Sequence, residues 1–160
     1  MGEAERRAVE RYWEAFNERD LSLLDDVIAA DYVNEAALPD TPPGPAGQAQ
    51  VMKRLWAAFP DARVERTGER LSDGRFVAAP CKLLGTHRGE IEGLGPTGRF
   101  LVVHLVFYCE LDPDRARMWR VRAFFDAYDA AVQLGVLPAR GTLGEKALLM
   151  LRGFGLRARG

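Results

Sequence analysis

Residues 100–111 read Phe100-Leu101-Val102-Val103-His104-Leu105-Val106-Phe107-Tyr108-Cys109-Glu110-Leu111. Asp112-Pro113-Asp114 follows, and from Met118 the chain continues Trp119-Arg120-Val121-Arg122-Ala123-Phe124-Phe125-Asp126-Ala127-Tyr128. Two β-branched and aromatic runs on either side of a turn signal make a hairpin. The period of two persists upstream. Ala62 to Leu71 and Arg75 to Gly85 are expected strands joined at Ser72-Asp73-Gly74, and His87 to Ile91 a short one. Gly93, Gly95, Pro96 and Gly98 punctuate the next turn. A run of hairpins implies an antiparallel, strongly twisted sheet.

Further toward the N-terminus the period becomes helical. Val9, Tyr12, Trp13 and Phe16 share one helix face, which ends at Asn17-Glu18-Arg19. Asp20 can cap a second helix with Leu24, Val27 and Ile28 on its apolar side. An extended segment, Tyr32 to Ala36, precedes a stiff loop from Leu38 to Gly47 that contains Pro39, Pro42, Pro43 and Pro45. A third helix carries Val51, Met52, Leu55, Trp56 and Phe59 and stops at Pro60. Helices first and strands after define an α+β class. Beyond residue 138, Thr142-Leu143-Gly144-Glu145 has capping-box spacing and predicts a short helix from Thr142 to Leu151. The division expected is therefore a domain over 1–138 and a basic C-terminal extension over 139–160. That extension holds Arg140, Lys146, Arg152, Arg157 and Arg159 against Glu145, a net +4, while the rest of the chain carries −5. It is expected to dock on the acidic body or on a partner subunit.

Chain length, 160 residues, fits one domain of ordinary soluble composition, 48% hydrophobic and 28% charged. With 22 Lys and Arg against 23 Asp and Glu, no nucleic-acid footprint is present. No apolar run is long enough to span a bilayer, and Glu3-Ala4-Glu5-Arg6-Arg7 does not read as a signal peptide. Cys81 and Cys109 read as small buried hydrophobes in a reducing, cytoplasmic setting. With only His87 and His104 for imidazole ligands, no metal site is expected.

Three residues carry the chemistry. Asp126 lies late in an aromatic strand. Facing inward with Phe124 and Tyr128, it would be desolvated, its pKa raised, and it would serve as a general acid/base. The other reading is an N-cap or an arginine partner, and the residues alone leave both open. His104 interrupts an apolar strand, either as a satisfied core residue or lining a cavity beside Asp126, depending on hairpin register. Tyr12 packs beside Phe16, and its hydroxyl can donate into a pocket. Asn34 and Glu35 stand at the mouth of such a cavity. Trp56 reads as core, and His87 as a rim or turn residue.

In this order, Tyr12-Trp13-Glu14-Ala15-Phe16-Asn17-Glu18-Arg19-Asp20, Asp31-Tyr32-Val33-Asn34, Phe59-Pro60-Asp61, Gly85-Thr86-His87-Arg88-Gly89-Glu90, Pro96-Thr97-Gly98-Arg99, and Phe125-Asp126 with Gln133-Leu134-Gly135 resemble the SnoaL-like polyketide cyclases of the nuclear-transport-factor-two-like superfamily. The resemblance implies a cone: a curved antiparallel sheet wrapped by three helices around a deep apolar pocket, paired as a homodimer through the outer sheet face. It also implies cofactor-independent, metal-free acid/base chemistry, an intramolecular aldol cyclisation or an isomerisation of a small apolar carbonyl compound. Asp126 would be the acid/base with His104 beside it, and Tyr12, Asn34, Glu35, Trp56, His87 and Phe124 would contact the substrate. Glu35 stands where many relatives have histidine, and Pro80 and Cys81 where an arginine and an aromatic are common. Tyr12 matches the oxyanion tyrosine of ketosteroid isomerases, whose base position falls on Ala36. The competing reading is a non-catalytic ligand-binding or dimerisation module of the same fold.

Overall fold

The computed structural model describes residues 3–35, 40–114 and 116–157, with side chains described as far as Met150. The expected strand residue Ala36, with its isomerase-base correspondence, and the first residues of the proline loop, Leu38 and Pro39, lie outside the described residues. Three helical segments come first: α1 (Glu3–Glu18), a 3-10 turn (Leu21–Leu23) running into the single-turn α2 (Leu24–Val27), and α3 (Gly44–Ala58) after strand β1 (Ile28–Asn34). Then come β2 (Arg63–Arg66), β3 (Leu71–Ser72), β4 (Phe76–Thr86), β5 (Phe100–Leu111) and β6 (Met118–Phe125), with α4 (Ala127–Gln133) and α5 (Leu143–Arg157) last.

Sequence chemistry sets most of these boundaries. α1 buries Val9, Tyr12, Trp13 and Phe16, one face at helical spacing. Its chain reverses at Arg19, at φ 57°, where the Asp20 amide donates back to the Ala15 carbonyl. Asp20 then accepts from the Ser22 amide at 3.0 Å and caps the next turn. α3 begins inside the proline-rich stretch because Pro45 suits a first helical turn, whose N–H groups have no intrahelical partner. α5 starts with half of the expected capping box: Thr142 Oγ1 accepts from the Glu145 amide at 3.3 Å, while the Glu145 carboxylate reaches one residue further back, accepting from the Gly141 amide at 2.6 Å, and the Thr142 amide donates to the Ala139 carbonyl.

The sheet runs β1-β6-β5-β4-β2, with β3 also on β4. It is curved, open and mixed. The β-meander is antiparallel as expected, whereas β1 joins β6 in parallel, with Val33 opposite Arg120 and Asn34 opposite Val121. A helix-first chain that adds its first strand beside its last meets no hairpin constraint on direction. Two further expectations need correction. Residues 87–91 make no strand, because the His87 amide and carbonyl bond Arg99 and Gly98 across the loop instead. β6 ends at Phe125, not Tyr128.

Register assigns the faces. Leu101, Val103, Cys109 and Leu111 of β5 are buried under the helices, opposite Val121 and Met118 of β6. Val106 pairs with Phe124 and Tyr108 with Arg122 on the outer face, where Val106, Tyr108 and Phe124 are exposed. The inside is filled by Tyr12, Trp13 and Phe16 from α1, with Phe107 set edge-on to Tyr12 at 5.8 Å and to Trp13 at 6.2 Å.

Two amide side chains do the work of missing strands. Asn17 Nδ2 donates to the Val64 carbonyl at 2.9 Å and its Oδ1 accepts from the Val64 amide at 2.8 Å, holding β2 to α1. Past the end of β6, Gln133 treats Val102 of β5 the same way: Oε1 accepts from its amide and Nε2 donates to its carbonyl, both at 2.8 Å. Gln133→Ala should therefore lose about 1–3 kcal/mol of stability by orphaning both Val102 groups. Urea unfolding checks this, and a midpoint equal to that of wild type would mean that water replaces the amide freely.

Candidate functional site

A hollow of about 200 Å³ opens between the end of β1 and the start of α3, lined by Tyr32, Val33, Asn34, Thr41, Pro42, Pro43 and Gln48. β1 alternation turns Tyr32 and Asn34 toward the helices, and α3 brings Gln48 down onto them from its first turns. A hydrogen-bonded chain leads inward from the hollow. Asn34 Nδ2 donates to Gln48 Oε1 at 3.3 Å, and Gln48 Nε2 donates to the Tyr12 hydroxyl at 2.6 Å. Gln48 is only 2% exposed, so this buried amide is spent on orienting its neighbours.

Tyr32 is also 2% exposed, and its hydroxyl has no partner among the described residues; the indole N–H groups of Trp13 and Trp56 are in the same condition. A buried polar group without a partner costs about 1–3 kcal/mol, so such a set is unusual in a packed core. Burial pushes the Tyr12 hydroxyl well above the ordinary tyrosine range. Tyr32 moves the same way, first by burial and then by the nearness of Tyr12 and Cys109. Both phenols therefore stay protonated at any physiological pH and can act only as neutral donors and acceptors. Burial likewise pushes the Cys81 thiol up to about 12 and raises Cys109 further, which makes both poor nucleophiles.

Of the residues singled out in the sequence, Tyr12 and Asn34 are brought together, through Gln48. Trp56 is not part of the lining of the hollow; it is half-buried against Phe16 at 5.6 Å with the Arg19 guanidinium over its ring. The others are elsewhere. Glu35 is on the outer face, paired with Arg122 at 2.8 Å. Phe124 is 53% exposed on that face, and His104 is exposed there, opposite Lys82. His87 is fully buried but at the far loop, where Nδ1 accepts from the Thr97 amide at 3.2 Å and the ring packs on Phe59 at 5.1 Å.

At Asp126 the structure takes the second of the two readings the residues left open, an N-cap paired with an arginine, and not the inward-facing acid/base. The strand has already ended, and Asp126 is the N-cap of α4, accepting from the Asp129 amide at 2.9 Å. Arg140 Nη2 bonds both carboxylate oxygens, at 3.0 and 3.3 Å. The side chain is exposed, and the Asp129 amide first, then the Arg140 charge, hold its carboxyl below the usual carboxylate range. The expected desolvated carboxyl with a raised pKa is therefore replaced by a solvated, ionised one. Sequence reasoning missed Gln48 and Tyr32. Gln48 sits among the small residues Ala46, Gly47 and Ala49 at the start of α3, where no hydrophobic period marks its inward direction. Tyr32 was quoted in the family motif without a role.

Comparison with known proteins agrees with this architecture. The model of the SnoaL-like polyketide cyclase family matches residues 6–134. No curated protein matches. Among solved structures, TsrD from Streptomyces laurentii superposes with a TM-score of 0.75 at 21% identity, covering 84% of this chain and 96% of its own. IdmH from Streptomyces antibioticus gives 0.68 at 28% identity, covering 82% and 99%. AclR from Streptomyces galilaeus gives 0.69 at 22% identity, covering 97% and 96%. With four-fifths of its length matched by that family model and its mixed sheet shared with these structures, the chain belongs to the SnoaL-like polyketide cyclase family.

Proposed function

We propose that this protein binds a small apolar carbonyl compound at the Asn34–Gln48–Tyr12 chain and promotes an aldol-type cyclisation or isomerisation without a cofactor. The observation that carries the reading is the Tyr32 hydroxyl, buried, without a partner among the described residues, and close to Tyr12 at the wall of the hollow. Two protonated phenols are suited to donate to a carbonyl oxygen and to hold the enolate that forms when a neighbouring C–H proton leaves. Asp126 is the carboxylate the family resemblance points to for the proton. In the observed state it is ionised, held by Arg140 and outside the lining of the hollow, so shuttling requires both that Arg140 release it and that the bound compound reach from the hollow toward the start of α4. That clamp favours a second reading, a pocket that binds its ligand without turning it over.

The test is a panel of cyclic and aromatic ketones titrated against the full chain, followed by tryptophan fluorescence. Tyr32→Phe and Tyr12→Phe should each weaken binding of a hit by about tenfold, one hydrogen bond's worth. Unchanged affinity in both would move the site away from the hollow. Where the hit is also converted, Asp126→Asn should keep binding and reduce turnover about 100-fold. A bound ligand that is never converted assigns the carrier role. We propose further that the protein is a cytoplasmic homodimer whose outer sheet face is covered by a second copy. Among the described residues no helix is long and apolar enough to cross a membrane.

A further inference from the structure

The last helix turns an apolar stripe to solvent. Leu143, Ala147 and Met150 of α5 are spaced to share one helix face, and all three are exposed, Leu143 by 83% and Met150 by 67%. Lys146, three residues after Leu143 and four before Met150, borders that face, and the exposed Leu149 widens it on the Lys146 side. Glu145 and Leu148, on the opposite side of the helix, are half-buried. Docking of the stripe on the chain's own acidic body, expected from its charge, is therefore not what the helix does.

The connection holds α5 in that attitude. The Tyr128 hydroxyl donates to the Pro138 carbonyl at 2.8 Å, and Arg140 bonds Asp126 while lying over the Tyr128 ring at 5.0 Å. Gly144 fits closely against Pro138, for a Cβ there would lie 2.9 Å from the proline Cβ.

We infer that α5 is an interfacial helix that lays its stripe on an anionic lipid surface. Residues 139–160 hold five basic side chains and one acidic, a net +4, and seven of the fourteen residues from 143 to 156 are leucine, methionine or phenylalanine. An anionic bilayer meets both properties at one place: its acyl boundary takes the stripe while lysine and arginine reach the headgroups. A second copy of this chain does not. Its exposed acids Glu10, Glu14, Glu18, Asp25 and Asp26 lie on α1 and α2, and neither those helices nor α3 exposes a large apolar residue among those described. Its exposed Val106, Tyr108 and Phe124 lie on the outer sheet face, where Arg120 has no carboxylate partner among the described residues and repels a cationic helix. At 15 residues α5 is too short to cross a hydrocarbon core of about 30 Å, so it lies along the surface. This binding does not depend on what occupies the hollow.

Vesicle sedimentation of the full chain tests it, with a double variant, Leu143→Glu and Met150→Glu, that changes exposed side chains and is checked for native circular dichroism. Wild type should bind phosphatidylcholine vesicles containing phosphatidylserine about tenfold better than phosphatidylcholine alone, and added salt should weaken that binding. The double variant should lose about tenfold in affinity for the mixed vesicles. Lys146→Glu leaves the stripe intact and should weaken binding to the mixed vesicles about fivefold or more without changing binding to phosphatidylcholine. Wild type that stays in solution with both vesicles overturns the inference, as does a double variant that sediments like wild type. Light scattering on a sizing column, run without lipid, should give wild type and double variant the same oligomeric state. A dimeric wild type beside a monomeric double variant overturns the membrane reading and gives the stripe to a second copy.

Discussion

Trp13→Ala should lose about 3–5 kcal/mol of folding free energy, the usual range for truncating a buried aromatic. Trp13 is 6% exposed, sits on the α1 face that covers the sheet, and meets the Phe107 ring edge-on at 6.2 Å. Its neighbours Tyr12 and Phe16 are fixed to the same helix, so they cannot collapse into the space without moving α1. For a domain of this size the loss is a drop of roughly 6–20 °C in melting temperature. Trp13→Phe is the informative companion. It keeps most of the ring and removes an indole N–H that has no partner among the described residues. Phenylalanine should therefore recover well over half of the loss. Calorimetry decides it: if phenylalanine is as damaging as alanine, the indole N–H is bonded in solution and the interior is wetter than its packing suggests.

The fold was legible wherever a period was strong. The β5 run and its return to β6 are antiparallel because a two-residue alternation on both sides of Asp112-Pro113-Asp114 has one consistent reading. Asp20 and Thr142 cap where their spacing says they should, and Glu145 reaches back one residue beyond it. The parallel β1–β6 pair was not legible, because β1 and β6 lie some eighty residues apart and no turn sets their direction. His87 misled for a related reason. Glycines on both sides suggest a rim, but the loop folds back and buries the ring under backbone bonds to Arg99 and Gly98.

The site was legible only in part. Tyr12 and Asn34 were found, while Gln48, which joins them, is a polar residue in an otherwise ordinary helix start. His104 and Phe124 were lost to parity: with Leu105 opposite Phe125 on the inner face, the residues before and after them point outward. Asp126 was decided by a single residue. Had β6 continued by one more pair, Asp126 would have stood in the strand; because it caps α4 instead, its carboxylate is hydrated and bound to Arg140. The same ion pair fixes the direction of α5. The Asp126–Arg140 pair thus ties the cap of α4 to the segment that leads into α5.

Gly47→Ala should be the second severe substitution. Gly47 lies in the first turns of α3, and a Cβ at that position would fall 1.6 Å from the Pro42 carbonyl oxygen and 2.7 Å from its carbon. These are backbone atoms of a proline-stiffened segment, so no side chain can swing aside; either α3 or the Thr41–Pro43 stretch must move. Overpacking of this kind costs typically 1–3 kcal/mol and more where backbone is displaced, so a loss of about 3 kcal/mol is expected. The displacement falls on the site, because Pro42 lines the hollow and the next residue, Gln48, holds the Tyr12 hydroxyl at 2.6 Å. Ligand affinity should therefore fall along with stability, which a surface glycine would not produce. Gly95→Ala is the control: nothing lies within 4 Å of its Cβ position, and a change within about 0.5 kcal/mol is expected there. If denaturant unfolding places Gly47→Ala as close to wild type as Gly95→Ala, then α3 does not rest on Pro42, and the hollow is not held open by that contact.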